Sequence, residues 1–304
     1  MGQRCDVMIT GLGEIGAYCL EFLARTPGIS SIIGADVNRE AGLSKVNNAM
    51  QGAAQMGFYP KMEFVHLDLY DIDGTRELLV QKDPRVILNG SSLQPYWVIT
   101  QLPKDTFLKL KAAGYGPWLP LHLILTQKLM QAVGQSGIET HVVNAAFPDA
   151  VNPVLGKVGM APTVGLGNMD NFIPGIQKIV GEKLGMARRD VKVWMVGHHY
   201  LREAFRHFGN SAGAPYFCKI CVGNRDVTPE FDMEKLLLDA VNLVVGMRND
   251  AAVASSGVKN VLAILWDTQE ITHSPGPAGL EGGYPIRLGA NGAELYLPEG
   301  LTLE

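Results

Sequence analysis

Apolar residues in the first half of this chain fall in short runs that alternate with stretches of helical spacing. The runs at 6–10, 31–35, 62–67, 85–88 and 139–143 read as buried strands. Between them, 17–24, 40–55, 74–80 and 121–133 carry a helical period. Strands alternating with helices argue for a parallel, doubly wound sheet whose ligands lie beyond the C-terminal ends of its strands. Segment 93–120 breaks the pattern. Pro95, Tyr96, Trp97, Tyr115, Gly116, Pro117, Trp118 and Pro120 crowd it, and a connection so long and so aromatic reads as a lid. Past Phe147-Pro148-Asp149 the alternation stops. Helices at 171–184 and 233–247, strands at 191–196 and 216–222, an apolar stretch at 253–266 and a hairpin of 284–288 with 293–297 predict an α+β unit. The hairpin turns through Gly289-Ala290-Asn291-Gly292, where Asn-Gly tolerates positive φ.

The first strand runs directly into Gly11-Leu12-Gly13-Glu14-Ile15-Gly16, a G-x-G-x-x-G that opens the first helix. Gly11 permits the tight turn, Gly13 lets backbone approach a pyrophosphate, and Gly16 allows close helix–strand packing. The free N–H groups of the helix start, from Glu14 and Ile15 onward, then face the anion. Asp36 ends the second strand, 20 residues beyond Gly16, where a carboxylate can accept from both hydroxyls of an adenosine ribose. The same sheet edge collects Asn89-Gly90-Ser91 and Asn144. The expected fold is therefore α/β: an N-terminal Rossmann doubly wound parallel sheet in residues 1–146, followed by a C-terminal α+β substrate domain in residues 147–304. The expected cofactor is NAD, because a 2′-phosphate beside Asp36 would be repelled; Arg39 nearby leaves some room for NADP.

Composition narrows the class. Of 304 residues, 47% are hydrophobic and 18% charged, the balance of a globular protein with ample core. With a net charge of −4 and no long Lys/Arg cluster, nucleic acid is not an expected partner. No apolar run approaches the ~20 residues of a membrane helix, and the first strand begins too early for a secretion signal, so the expected location is cytoplasmic. Cys218 and Cys221 form a C-x-x-C, but on a strand residues three apart face opposite ways, and no second pair completes a zinc site. No metal is expected.

Hydride exchange with a nicotinamide requires a partner for the alcohol proton. A histidine serves near neutral pH if a carboxylate fixes its tautomer. The second half offers Gly167-Asn168-Met169-Asp170 before a helix and Gly197-His198-His199 after a strand. One helix and one strand separate Asp170 from His199, so the chain can return and bring the two side chains together.

Three segments resemble the lactate/malate dehydrogenase superfamily: the glycine motif with Asp36; Val164-Gly165-Leu166-Gly167-Asn168-Met169-Asp170 with the later Gly197-His198-His199; and the tail from Gly283 through Gly292-Ala293-Glu294 to Glu304. The resemblance implies an NAD-dependent oxidoreductase with His199 as general acid/base, Asp170 as its orienting partner, and Asn144 beside the nicotinamide and the substrate oxygen. It also implies a homodimer or homotetramer. The tail stops where the family begins a last helix. Gly165-Leu166-Gly167-Asn168 and His198-His199 are similar as well to the NAD-dependent family-4 glycosidases, although those carry a metal-holding cysteine where Gly167 stands.

The departures concern the substrate. The family binds a carboxylate with an arginine just after the aspartate, where this chain reads Asn171-Phe172-Ile173-Pro174. Arg202 and Arg206 beyond His199 could substitute or could be surface charges. Trp97, Trp118, Arg202 and Ser255 are the candidate substrate contacts, and the aromatics favour a hydroxy acid of unusual kind or a bulkier, less charged hydroxy compound. The rival reading is a non-catalytic dinucleotide-binding sensor.

Overall fold

Apolar residues on both faces of the early strands demand cover on both sides, and the chain provides it. The computed structural model describes residues 4–95, 97–114, 116–244 and 249–303; the expectations placed on Tyr96, Tyr115 and 245–247 lie outside them. The first half runs β1 (Cys5–Thr10), α1 (Glu14–Ala24), β2 (Ser31–Asp36), α2 (Arg39–Gln55), β3 (Lys61–His66), α3 (Ile72–Lys82) and β4 (Pro84–Asn89). After a 3-10 turn at Val98–Gln101 come α4 (Lys104–Ala112), α5 (Leu119–Ser136), β5 (His141–Asn144), α6 (Pro148–Gly156) and β6 (Val164–Gly165). Among the described residues these strands form one parallel sheet in the order β3-β2-β1-β4-β5-β6. That is the expected doubly wound arrangement, with its switch point between β1 and β4.

The second half runs α7 (Ile173–Leu184), β7 (Val191–Gly197), α8 (Tyr200–Phe208), β8 (Tyr216–Val222), β9 (Arg225–Asp226), α9 (Met233–Asn242), α10 (Asp250–Leu265), β10 (Glu270–Pro275), β11 (Gly283–Gly289) and β12 (Gly292–Leu295). Its antiparallel sheet has the order β10-β11-β7-β8-β9, with β12 paired to β11. The hairpin turn forms as expected, with the positive φ on Gly292 (93°). The sequence pattern did not reveal α6, β6, β9 or β10, nor α4, which forms inside the segment 93–120 read as one long connection. Two-residue strands carry no period to read, and α6 contains Pro153.

Alternation sorts the core. Val7, Ile9, Val86 and Leu88 face α1, α2 and α10, whereas Met8, Ile33 and Ile87 face α3 and α5. A third cluster packs α7, α8 and α9 on the antiparallel sheet. Both β6 and α10 follow residue 146 yet complete the layers of the parallel sheet, so the two halves share a core. No described helix is long and apolar enough to cross a membrane.

A polar row crosses the C-terminal ends of the strands in register: Thr10 opposite Asn89, Asn89 opposite Asn144, Asn144 opposite Gly165. Thr10 Oγ1 and the Ser91 N–H donate to Asn89 Oδ1 at 2.9 and 3.2 Å. Asn89 Nδ2 donates to Thr126 Oγ1 and Asn144 Oδ1, both at 3.0 Å. Asn144 Nδ2 continues to Asn152 Oδ1 at 2.9 Å, and Asn152 Nδ2 reaches the Gly276 carbonyl at 3.0 Å. We predict that Asn89→Ala, which orphans several buried partners at once, lowers unfolding free energy by about 2–4 kcal/mol in chemical denaturation. A change within ~0.5 kcal/mol, typical of a surface site, would show the row to be dispensable.

Candidate active site

The glycine turn is built by exclusion. Gly11 has φ 79° and its N–H donates to the Ala35 carbonyl at 2.8 Å. A Cβ on Gly11 would stand 2.5 Å from the Ser91 nitrogen, and one on Gly16 would stand 2.0 Å from the Gly11 carbonyl oxygen. Gly13 differs: nothing lies within 4 Å of its Cβ position, and it starts α1 with no side-chain cap. α1 therefore begins beside open space, the arrangement an anion needs. Ile15 packs against the core beneath them. Asp36 is pinned beside the turn, accepting from the Leu12 N–H at 2.6 Å and the Asn38 N–H at 2.8 Å. Each oxygen keeps a second lone pair for a ligand hydroxyl. Gly90 and Ser91 form the opposing wall. Asn89 is fully buried with all four hydrogen-bonding positions filled, so it shapes this wall from behind.

On the other side of the cleft, β7 ends at Gly197, bridged to Gly283 of β11. A Cβ at Gly197 would meet Met169 Sδ at 3.0 Å, so the glycine lets the 3-10 turn Asn168–Asn171 pack onto the strand end. Gly167 (φ 78°) and Asn168 (φ 56°) both adopt left-handed backbone there, and the Gly167 N–H donates to Ser256 Oγ at 2.9 Å. Asn168 Oδ1 lies 2.7 Å from His199 Nδ1. An amide oxygen only accepts, so Nδ1 carries the proton of the neutral ring and Nε2 its lone pair. Phe147 packs edge-on to the imidazole with ring centres 6.1 Å apart. Burial, then the charges of Arg202, His198 and Arg206, push His199 down to about 4 against the opposing pull of Glu203.

The expected dyad does not form. Lys259 Nζ donates to Asp170 Oδ2 at 2.6 Å and to the His273 carbonyl at 3.3 Å. A lysine ammonium holds a carboxylate more strongly than a neutral imidazole does, and Asn168 already occupies His199 Nδ1. Asn144 is also corrected. It is wholly buried, both of its N–H groups donate (to Asn152 and the Ala146 carbonyl), and its oxygen accepts twice (from Asn89 and the Ala146 N–H). No position remains for a substrate oxygen.

Neither a protein-family model nor a curated protein sequence matches the chain. Solved structures do. Lactate dehydrogenase from Eimeria maxima with NADH and oxamate superposes with a TM-score of 0.69 at 13% identity, covering 100% of this chain and 89% of that one. Lactate dehydrogenase from Cryptosporidium parvum, complexed with lactic acid and nicotinamide adenine dinucleotide, gives 0.66 at 17%, covering 100% and 92%. Malate dehydrogenase from Salinibacter ruber gives 0.63 at 18%, covering 98% and 90%. The chain has the lactate/malate dehydrogenase fold.

Within this dehydrogenase fold the remaining expected residues separate. Arg202 is buried, not a surface charge, and the Asn249 side chain, with its amide oxygen turned inward, accepts from both of its Nη atoms at 3.2 and 3.1 Å. Asn171, Phe172, Arg202 and Asn249 line a cavity of about 40 Å³. The Trp97 indole N–H donates to Glu14 Oε2 at 3.1 Å, tying the start of the long connection to the first turn of α1. Trp118 is half-buried at the start of α5. Ser255 is exposed and bonds its own helix at Ala251, while Ser256, one step around α10, is the serine that reaches Gly167. Cys218 and Cys221 pair with Met195 and Lys192 on β7, and burial pushes Cys218 up to about 12, which leaves it a thiol. Among the described residues no cluster of His, Cys, Asp or Glu could hold a metal.

His273 gives a stability test. Its Nε2 accepts from the Met195 N–H at 3.1 Å, and burial pushes it down to about 4. Between its ordinary value of 6.5 and about 4 the unfolded chain binds more protons, so stability falls as pH falls through that window. We expect thermal melts of His273→Leu to lose stability less steeply across it than wild type; parallel slopes would exclude His273 as the cause.

Proposed function

We propose that the protein is an NAD-dependent dehydrogenase acting on a hydroxy acid, with residues 1–146 on the cofactor side and 147–304 on the substrate side. The observation that carries this reading is the pairing of the uncrowded glycine turn at Gly13, which no side chain fills, with an imidazole, His199, whose Nδ1 is fixed by Asn168. The residues present fit the cofactor. Of the three motif glycines, Gly13 alone has open space beside it, where a pyrophosphate would approach, and Asp36 is held ready for ribose hydroxyls. NAD, when bound, supplies the hydride acceptor at nicotinamide C4. His199 Nε2 takes the alcohol proton in oxidation and returns it in reduction, while Asn168 keeps the ring in one tautomer. Its lowered proton affinity keeps the His199 ring neutral at neutral pH, with Nε2 unprotonated.

Donors without acceptors support an acid as substrate. Asn168 Nδ2, Asn171 Nδ2 and Arg206 Nη2 are buried with no hydrogen-bond partner among the described residues, and Arg202 lies with Asn171 on the cavity wall. Buried N–H groups of this kind suit a carboxylate. On this reading the substrate is a hydroxy acid.

The test is a panel of 2-hydroxy acids, sugars and aromatic alcohols followed by NADH absorbance. His199→Ala is expected to lose about 10²-fold or more in turnover with NAD affinity retained; unchanged turnover would end its acid/base role. Asp36→Ala should weaken NAD more than NADP in calorimetry, and equal losses would refute its ribose role. Micromolar NAD binding with no turnover across the panel would favour the sensor.

A further inference from the structure

Asp149 sits in the first turn of α6, is 2% exposed, and has no hydrogen-bond partner on either carboxyl oxygen among the described residues. A carboxyl so placed stays neutral or answers a nearby positive charge. The segment facing it is the His198–His199 turn between β7 and α8. The His198 ring faces the Asp149 backbone carbonyl, which favours its charged form. The N–H groups of Asp149 itself and of His199 draw its carboxyl toward the charged form without reaching full hydrogen-bond geometry. Phe147, two residues earlier, has φ 45° and ψ 58°, a strained backbone for an aromatic residue, and its ring lies against His199. The other charged or titratable groups around this turn are His122 on α5, edge-on to Phe147; Arg202, Glu203 and Arg206 on α8; and Glu281 beside His198.

We propose that Asp149 is a positioning residue for His199: it lies buried against the β7–α8 turn, and its carboxyl, when ionised, supplies the buried negative charge that an imidazolium at His199 requires. The proposal rests on the acid/base reading of His199. That role was expected of Asp170, but Lys259 holds Asp170, and Asn168 orients the ring without a charge. Glu203 also favours the cation, yet its side chain is 32% exposed beside His207, where water screens it. Asp149 is the carboxyl that water does not reach.

Burial lifts Asp149 to about 7 and holds His199 at about 4, so between those values the pair stores one proton, on the carboxyl. As pH rises through about 7 the carboxylate forms and proton acceptance by Nε2 becomes easier. Alcohol oxidation should therefore accelerate through that window, on a limb that belongs to Asp149 and not to the imidazole.

The full-length protein, labelled with ¹⁵N-histidine, is titrated by NMR from about pH 4 to about pH 9, as wild type and as Asp149→Asn. His199 nitrogen shifts are expected to show an inflection near 7 in wild type that disappears in the variant, while the one near 4 stays. Identical curves overturn the proposal. Should Asp149→Asn fail to fold, Asp149→Glu must keep the upper inflection at a shifted position, and its loss would be equally fatal. With whichever hydroxy acid the panel identifies, Asp149→Asn should lower kcat about 10-fold or more with KM little changed and the upper pH limb gone. A lower kcat with that limb intact would reduce the residue to a fold-holding role. The titration needs no substrate, so a silent panel and an unresponsive imidazole are separate failures.

Discussion

The saturated amide row behind the cleft is the constraint on which the site depends. Asn89 and Asn144 each offer two donors and two acceptors, and all eight positions are filled by neighbours. Buried amides tolerate no vacancies, so the row fixes where β1, β4 and β5 stop relative to one another. The loops that leave those strands then have little freedom. Gly90 lies against the Gly11 carbonyl, and Gly11 against Ser91, at separations that admit no side chain. The open cradle at Gly13 is what remains when everything around it is full.

The same row ties the halves of the chain together. Gly165, next in register after Asn144, accepts from Asn260 Nδ2 on α10 at 2.9 Å and from Ser274 Oγ on β10 at 2.6 Å. Asn152 reaches Gly276, just past β10. The imidazole of the C-terminal half is thereby referenced to the glycine-turn edge of the parallel sheet through buried polar contacts, and apolar packing of α10 on that sheet reinforces them. Apolar contact alone would permit sliding; directional hydrogen bonds do not.

Electrostatics around His199 depart from a simple carboxylate–imidazole pair. Its Nδ1 partner is neutral, the nearest aspartate of the 3-10 turn belongs to a lysine, and two arginines on α8 oppose its protonation. Asn168 thus orients the histidine without making it more basic. Its tautomer and its proton affinity are controlled by different residues, a division that a sequence motif cannot express.

The first half was legible because its signals are local. Strand runs, helical periods, the G-x-G-x-x-G turn and the acid at Asp36 each depend on residues near one another in the chain, and the sheet they predict is the one that forms. Ser256 in place of Ser255 could have been found the same way, since the buried face of α10 through Ala254, Gly257, Val258 and Val261 brackets it. Other assignments were out of reach. Whether Asp170 meets His199 or Lys259, whether Asn144 faces a ligand or four internal partners, and whether Arg202 is a surface charge or a cavity wall depend on residues up to about ninety positions apart. The chain by itself determined the layers, the dinucleotide-type turn and the histidine at the strand end. Only the tertiary structure decided which polar group faces which, because each has several competing partners and burial leaves room for one set.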